Sequence, residues 1–365
     1  MRDVLKSRLT IVIALLSVSL GIISCGQPRQ DVLSDLAQYT YLPAYGQWLE
    51  SNVTLTEHAK QFCQTPTDTS AQSSKAIERL RNAFYSAQSQ WSLMQPLLVG
   101  PMSEGNKSWQ VQFYPDKRNL VARQTETLLD KLPTLTPQQL SEESVVVQGL
   151  TAFEYILFDE SIDLAQPSKK KRYCPLLMAI AEHQRALTEG LQQQWRAPTS
   201  GMAAQLSQFP NDRYLDQNEA LADALLIQIN AIDNLKKKLG APLGRLSRGA
   251  PQPYLCEAWR SGRSLSNMLA TLNGTREIWT GSNGQLGVRS LISDSELSHK
   301  IDQAYDVTQA QLKGFQQPLF QLVTQSDTSA LDALYESFDA LHRIHHNELA
   351  QSLNIQIGFN AADGD

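Results

Sequence analysis

Apolar residues recur at alternating steps of three and four along most of this chain, and that spacing commits it to helices. Ile77, Leu80, Phe84, Ala87, Trp91 and Met94 form one such stripe. Tyr173, Leu177, Ile180, Gln184, Leu187, Leu191 and Trp195 form a second. Leu297, Ile301, Ala304, Thr308, Leu312 and Phe315 form a third, and Leu331, Leu334, Phe338, Leu341 and His345 a fourth. At about 3.6 residues per turn each stripe is one helix face that must bury against other helices. Residues 214–239 make a further amphipathic stretch, closing on Lys236-Lys237-Lys238-Leu239-Gly240. Cations in a last turn followed by glycine form a helix stop, so the lysine run is read as a solvated end. Lys169-Lys170-Lys171-Arg172, at a helix start, is read the same way. Val145-Val146-Val147 is the one β-branched cluster, and it leads straight into a helical pattern. The expected fold is therefore all-α, with two antiparallel helical bundles. Pro, Gly and Ser mark irregular stretches, and Arg196–Gly201 is the expected seam, dividing residues 25–198 from 199–365.

The N-terminus is of another kind. Arg2, Lys6 and Arg8 precede an apolar run from Leu9 to Leu20, followed by Gly21-Ile22-Ile23-Ser24-Cys25-Gly26. A charged head, a short apolar stretch and a small-residue cut site describe a secretory signal over residues 1–24. The apolar run is short for a membrane span, which takes about 20 residues. Ile22-Ile23-Ser24-Cys25 resembles the lipobox of bacterial lipoproteins, which implies cleavage before Cys25 and lipidation of that cysteine. An ordinary cleaved signal with an incidental cysteine is the alternative. Two acyl chains anchor a protein stably without spanning the membrane. Gly26 stands where an inner-membrane retention signal would place Asp, which points to the outer membrane and a periplasm-facing location.

Export also bears on charge and cysteines. The leader carries Arg2, Lys6 and Arg8 against Asp3, so its removal takes the net charge from −5 to −7. A mildly acidic surface argues against nucleic acid as a partner. Cys63, Cys174 and Cys256 remain, in a compartment that permits disulfides. Cys63 with Cys174 is the expected pair, at the end of one helix and the start of another. Three free buried thiols are the alternative.

Few residues carry a signal of chemistry. No His-Glu-x-x-His and no Gly-x-Ser-x-Gly occurs. His342 and His346 are four apart and could share a metal, but a helix end with His345 packed inside explains them as well. Asp363-Gly364-Asp365 supplies too few oxygens for a hard cation without other segments. Arg260 and Arg263, three apart beside Trp259, could meet Glu154 or an anionic ligand, or pair with Glu257 or Glu277. The central candidate is Gly149-Leu150-Thr151-Ala152-Phe153-Glu154, a carboxylate on an otherwise apolar helix. Such a group must face water, a cation or a hydrogen-bond donor.

At this motif the chain resembles the imelysin family of bacterial envelope proteins. These carry a Gly-x-His-x-x-Glu motif and are assigned to a metallopeptidase class. Gly149 and Glu154 match its ends, and Thr151 stands in place of its His. Gln61-Phe62-Cys63, Trp91, Phe113–Arg118, Arg172-Tyr173-Cys174, Ala258–Ser261 and Gly281–Gly287 follow in the family's order. The tail Gly358–Asp365 looks like that of a lipoprotein subgroup in which the His is also missing. The resemblance implies a candidate ligand or metal site from Gly149, Thr151, Glu154, Asp116, Arg118, Arg260, Ser261, Asn360 and Asp363. It implies a role near iron acquisition, with iron or another divalent metal as the expected ion and other envelope iron-uptake proteins as expected partners. A threonine hydroxyl stays protonated and neutral, so it replaces an imidazole ligand poorly. Binding or assistance, at a cleft around Glu154, is therefore expected over catalysis. A peptidase using Glu154 with ligands from elsewhere, and a scaffolding lipoprotein, are the competing readings.

Overall fold

The computed structural model describes residues 27–66 and 70–356, and every regular element among them is helical. Cys25, Asn360 and Asp363 lie outside the described residues. The longer helices are α1 (Gln27–Asp35), α2 (Leu42–Gln64), α3 (Ser70–Met94), α4 (Leu120–Lys131) and α5 (Leu150–Phe158). They continue with α6 (Pro167–Arg196), α7 (Gln217–Gly240), α8 (Ser264–Thr280), α9 (Ser295–Gly314) and α10 (Ser329–Arg343). One bundle is built on α2, α3 and α6, with α4 and α5 laid against it, and the other on α7 to α10. The bundles meet chiefly where α3 packs on α8.

The stripes read from the sequence are the packed faces. On α3, Leu80, Phe84, Ala87, Trp91 and Met94 are buried, and so on α6 are Tyr173, Leu177, Ile180, Leu191 and Trp195. Trp195 packs against Tyr41 and Tyr45, with ring centres 5.2 and 4.8 Å apart, and Trp48 meets Trp91 at 5.4 Å. Gln184, a polar member of the α6 stripe, has a specific task. Its side-chain amide donates to the carbonyls of Gln110 and Gln148, pinning two short helical segments to the bundle. Cys63, at the end of α2, is disulfide-bonded to Cys174 near the start of α6, with 5.6 Å between Cα atoms. Cys256 is free and buried, and burial pushes its thiol up to about 12.

In the second bundle Asp216 caps α7 by accepting from the amides of Asn218 and Glu219. His345 is packed inside, its Nε2 3.1 Å from the Tyr305 hydroxyl and its Nδ1 2.9 Å from the Leu341 carbonyl. Desolvation drives its pKa down to about 4. The N-terminal helix α1 leans on this bundle: Arg29 donates to the Asn218 side chain and to the Leu353 carbonyl.

Two charged runs are not the solvated ends the sequence suggested. Lys170 is buried, donating to the Thr65 carbonyl with its ammonium over the Phe62 ring, while Arg172 pairs with Glu126 and Asp130. Lys238 is also buried and pairs with Glu257 at 2.5 Å. Each occupies an inward phase of its helix, so its stem packs and its charge must find an internal partner.

Candidate functional site

The geometry around Gly149–Glu154 begins with a close backbone crossing. A Cβ at Gly149 would sit 2.3 Å from the Val111 carbonyl oxygen and 2.7 Å from that of Gln110. Only glycine lets the 107–111 helical turn pass over the start of α5. Thr151 strengthens the same crossing, its hydroxyl donating to the Phe113 carbonyl at 3.1 Å. Asp116 closes this segment by capping α4, accepting from the amides of Leu120 (2.6 Å) and Val121 (3.3 Å).

Glu154 lies one turn beyond Thr151 and is buried at 2% exposure. Its Oε1 accepts two hydrogen bonds from the other bundle, from the Ser261 amide at 2.8 Å and the Ser261 hydroxyl at 2.7 Å. Ala258 and Gly262, with φ of +51° and +70°, fold the 256–263 segment into turns that aim both Ser261 donors at the carboxylate. Burial raises the Glu154 pKa; the Ser261 bonds and the Arg260 charge oppose this, the nearby Glu257 charge adds to it, and the net shift is upward.

Arg260 reaches across the seam to other partners. Its side chain is 3% exposed, ion-paired with Asp159 at 3.0 Å and donating to Asn119 at 2.8 Å. Burial pushes the Asp159 carboxyl up, but bonds from Ser161 and Arg260 outweigh it and hold the group below its ordinary range. Arg263 lies over the Tyr85 ring.

Beside this seam is a cleft of about 920 Å³ with walls from both bundles. Tyr114, Trp109 and Gln112 contribute from the first bundle, and Lys238, Leu246 and Glu257 from the second. Lys238 donates to Glu257 and also to Gln95 at 2.9 Å, and Tyr114 donates to the Leu255 carbonyl at 2.9 Å. Glu154 is not among the residues lining this cleft; Glu257 is.

The match to known proteins agrees with this two-bundle layout. A family model described as Imelysin matches residues 41–345. The chain belongs to the imelysin family. Its fold is similar to that of an imelysin-like protein from Psychrobacter arcticum 273-4, with a TM-score of 0.75 and 22% identity. That likeness covers 92% of this chain and 98% of the other. It is also similar to a Parabacteroides distasonis ATCC 8503 structure named "putative iron-regulated protein A precursor", with a TM-score of 0.73 and 14% identity. There the coverage is 92% of this chain and 97% of that one. No curated protein matches the sequence.

In this imelysin-family chain the motif residues do not fit a metal centre. The Thr151 hydroxyl is committed to a carbonyl, Glu154 Oε1 to Ser261, and the Asp116 carboxylate to a helix cap. Among the described residues no group of three or more His, Cys, Asp or Glu side chains is placed to hold a metal ion. His342 and His346 are 5.6 Å apart between ring centres, without a third donor. Of the residues the resemblance singled out, Glu154, Ser261 and Arg260 make contacts across the seam, while Gly149 and Thr151 pack against the 110–113 segment within the first bundle. Arg118 is exposed, without a hydrogen bond or ion pair among the described residues. Arg260 pairs with Asp159, and not with Glu154, Glu257 or Glu277.

Sequence reasoning missed Asp159, Asn119, Tyr114 and the Lys238–Glu257 pair. A signal for Lys238 was present: steps of three and four through the buried Gln228, Ala231 and Leu235 land on it.

Proposed function

We propose that this protein is a lipid-anchored envelope protein of the imelysin family that binds a ligand or assists uptake in iron acquisition, and that it is not a peptidase. The observation that carries the reading is the use of Glu154. Its Oε1 accepts from both the amide and the hydroxyl of Ser261, tying the two bundles together. A metallopeptidase needs a metal held by about three protein ligands with a position left open for water. The motif supplies one carboxylate, already engaged, and a neutral hydroxyl. The link to iron rests on the printed name of one structural neighbour together with family membership. The anchoring rests on the Ile22–Cys25 sequence; no helix among the described residues is long and apolar enough to cross a membrane.

The deciding measurement is metal analysis of the mature protein beside a casein-cleavage assay with and without chelator, on wild type and Glu154→Gln. The expected result is no chelator-sensitive cleavage and no stoichiometric metal that the variant loses. Robust chelator-sensitive proteolysis abolished by Glu154→Gln would overturn the reading. Anchoring is tested separately. Cys25→Ala should leave the membrane fraction or remain unprocessed, and wild-type fractionation and mass would refute lipidation there.

A further inference from the structure

We propose that the cleft between the bundles binds a small amphipathic organic anion: a molecule with a flat apolar body, one anionic group and an N–H or O–H donor. The inference rests on the reading of the protein as a binding protein and names what it binds.

Size comes first. About 920 Å³ lies in the range of roughly 300–1,000 Å³ that holds a small molecule.

The walls then describe the body of the ligand. Trp109 from the first bundle is 45% exposed, and Leu246 from the second is 84% exposed. Both line the cleft, and Leu98, Ile227 and Leu255 add apolar surface between them. Large apolar side chains left in water beside a cavity recover hydration free energy when a flat apolar body covers them.

Charge describes the head group. Four charged residues line the cleft: Lys117, Lys237, Lys238 and Glu257. Lys238 and Glu257 neutralise each other at 2.5 Å, and Lys237 pairs with Asp233 at 2.7 Å. Lys117 is exposed and has no ion pair among the described residues. The uncompensated charge at the cleft is therefore positive on a chain whose net charge is −5. A local sign opposed to the global one selects an anion from solution.

The donor requirement comes from Glu257. It is 1% exposed, and while Oε1 takes the Lys238 ammonium, Oε2 has no hydrogen-bond donor among the described residues. A buried carboxylate oxygen without a donor is costly, and a ligand N–H or O–H reaching it removes that cost.

Two dyes, both carrying an N–H donor, separate the charge from the apolar body. 8-Anilinonaphthalene-1-sulfonate has an aromatic body, an N–H and a sulfonate; N-phenyl-1-naphthylamine is the same body without the sulfonate. Titrated into the mature, folded protein at low salt, the sulfonate should bind saturably at one site. Charge attraction at a partly screened site should make it tighter than the neutral dye by about fivefold. Lys117→Glu should erase that preference. Trp109→Ala should weaken both dyes by about tenfold, the usual scale for an aromatic anchor. Leu246→Asp, at an exposed loop residue, tests the same surface without touching the fold. Near-UV circular dichroism checks that each variant is native, and Tyr39→Ser, an exposed aromatic elsewhere, should change nothing. Equal binding of the two dyes with no effect of Lys117→Glu overturns the anion. No saturable binding, or binding indifferent to both Trp109→Ala and Leu246→Asp, overturns the site. Chelator-sensitive proteolysis with dye binding as expected would fail the binding-protein reading and leave the cleft assignment standing.

Discussion

Glu154→Ala should destabilise the protein by about 2–4 kcal/mol at neutral pH, whereas Glu154→Gln should cost about 1 kcal/mol or less there. Alanine removes the acceptor for two donors. The part-buried Ser261 amide then loses its partner, at the lower end of about 1–3 kcal/mol. The Ser261 hydroxyl loses its 2.7 Å bond but can turn to the Ala258 carbonyl at 3.2 Å, so its loss is smaller. Glutamine keeps an oxygen in the same place. It gives up charge assistance, but it also removes a buried negative charge that sits near Glu257. The pH dependence fixes the sign. Burial raises the Glu154 pKa above its ordinary 4.5, so the folded chain holds the proton more tightly than the unfolded chain. The stability this contributes is fully present below 4.5 and is lost as pH rises through the raised folded value. Glutamine does not titrate, so the variant should gain on wild type as pH rises. Urea unfolding of wild type and both variants, followed by circular dichroism from mildly acidic to mildly alkaline pH, measures this directly. If Glu154→Gln falls as far as Glu154→Ala at neutral pH, the seam uses the charge and not the acceptor. If the gap between wild type and glutamine widens with pH, the raised pKa is wrong.

Three further outcomes follow from packing and covalent linkage. Cys63→Ser/Cys174→Ser opens a loop set by a sequence separation of 111, and should lose about 4–5 kcal/mol on loop entropy; unchanged thermal unfolding would contradict it. Gly149→Ala drives a Cβ into the Val111 carbonyl at 2.3 Å, and the backbone shift needed should cost about 1–3 kcal/mol; a wild-type melting temperature in scanning fluorimetry would show the crossing to be slack. Lys238→Met strands the buried Glu257 charge, for about 3–5 kcal/mol, whereas Lys238→Met/Glu257→Leu should recover most of the loss. A single variant as stable as wild type would mean that the pair is not buried as a pair.

The helices were legible because their information is periodic. Leu80 to Met94 and Leu331 to Leu341 are buried in the phase their spacing predicts. The disulfide was legible for a related reason, since helix ends could be placed well enough to bring Cys63 and Cys174 together. Charged runs were misread because a run was treated as one unit. Lys169 is half-buried and Lys171 exposed while Lys170 between them is buried, since adjacent helical residues point about 100° apart. The seam was only partly legible. Glu154 could be named as a carboxylate in need of a partner, and Ser261 came with the family resemblance. The partner of Arg260 could not be named, because Asp159 and Asn119 sit at the end of α5 and the start of α4, where no periodicity places a side chain. The role of Asp116 was hidden for the opposite reason. A cap is a local signal, but Asn119, with φ of +51°, intervenes before α4 and displaces the capping side chain from its usual position.

What joins the two bundles accounts for the substitution at position 151. Each bundle buries its own apolar stripes, and directional polar contacts carry much of the seam around the cleft: Ser261 to Glu154, Arg260 to Asp159 and Asn119, Lys238 to Gln95, and Tyr114 to the Leu255 carbonyl. Such bonds add modest net stability, but they admit few relative positions of the parts they join. The first-bundle wall of the cleft is the 107–117 segment, and it is held to α5 by the glycine crossing at Gly149 and the Thr151 hydroxyl. A residue at 151 therefore has two possible tasks, to bind a metal or to fasten this segment. Threonine performs the second and gives up the first, because its hydroxyl can donate to the Phe113 carbonyl but stays protonated and neutral. Glu154 follows the same logic, since a carboxylate without a metal in a buried seam needs donors and Ser261 supplies two. Gly149 and Thr151 thus position the 107–117 segment, which lines a cavity that Glu257 lines as well and Glu154 does not.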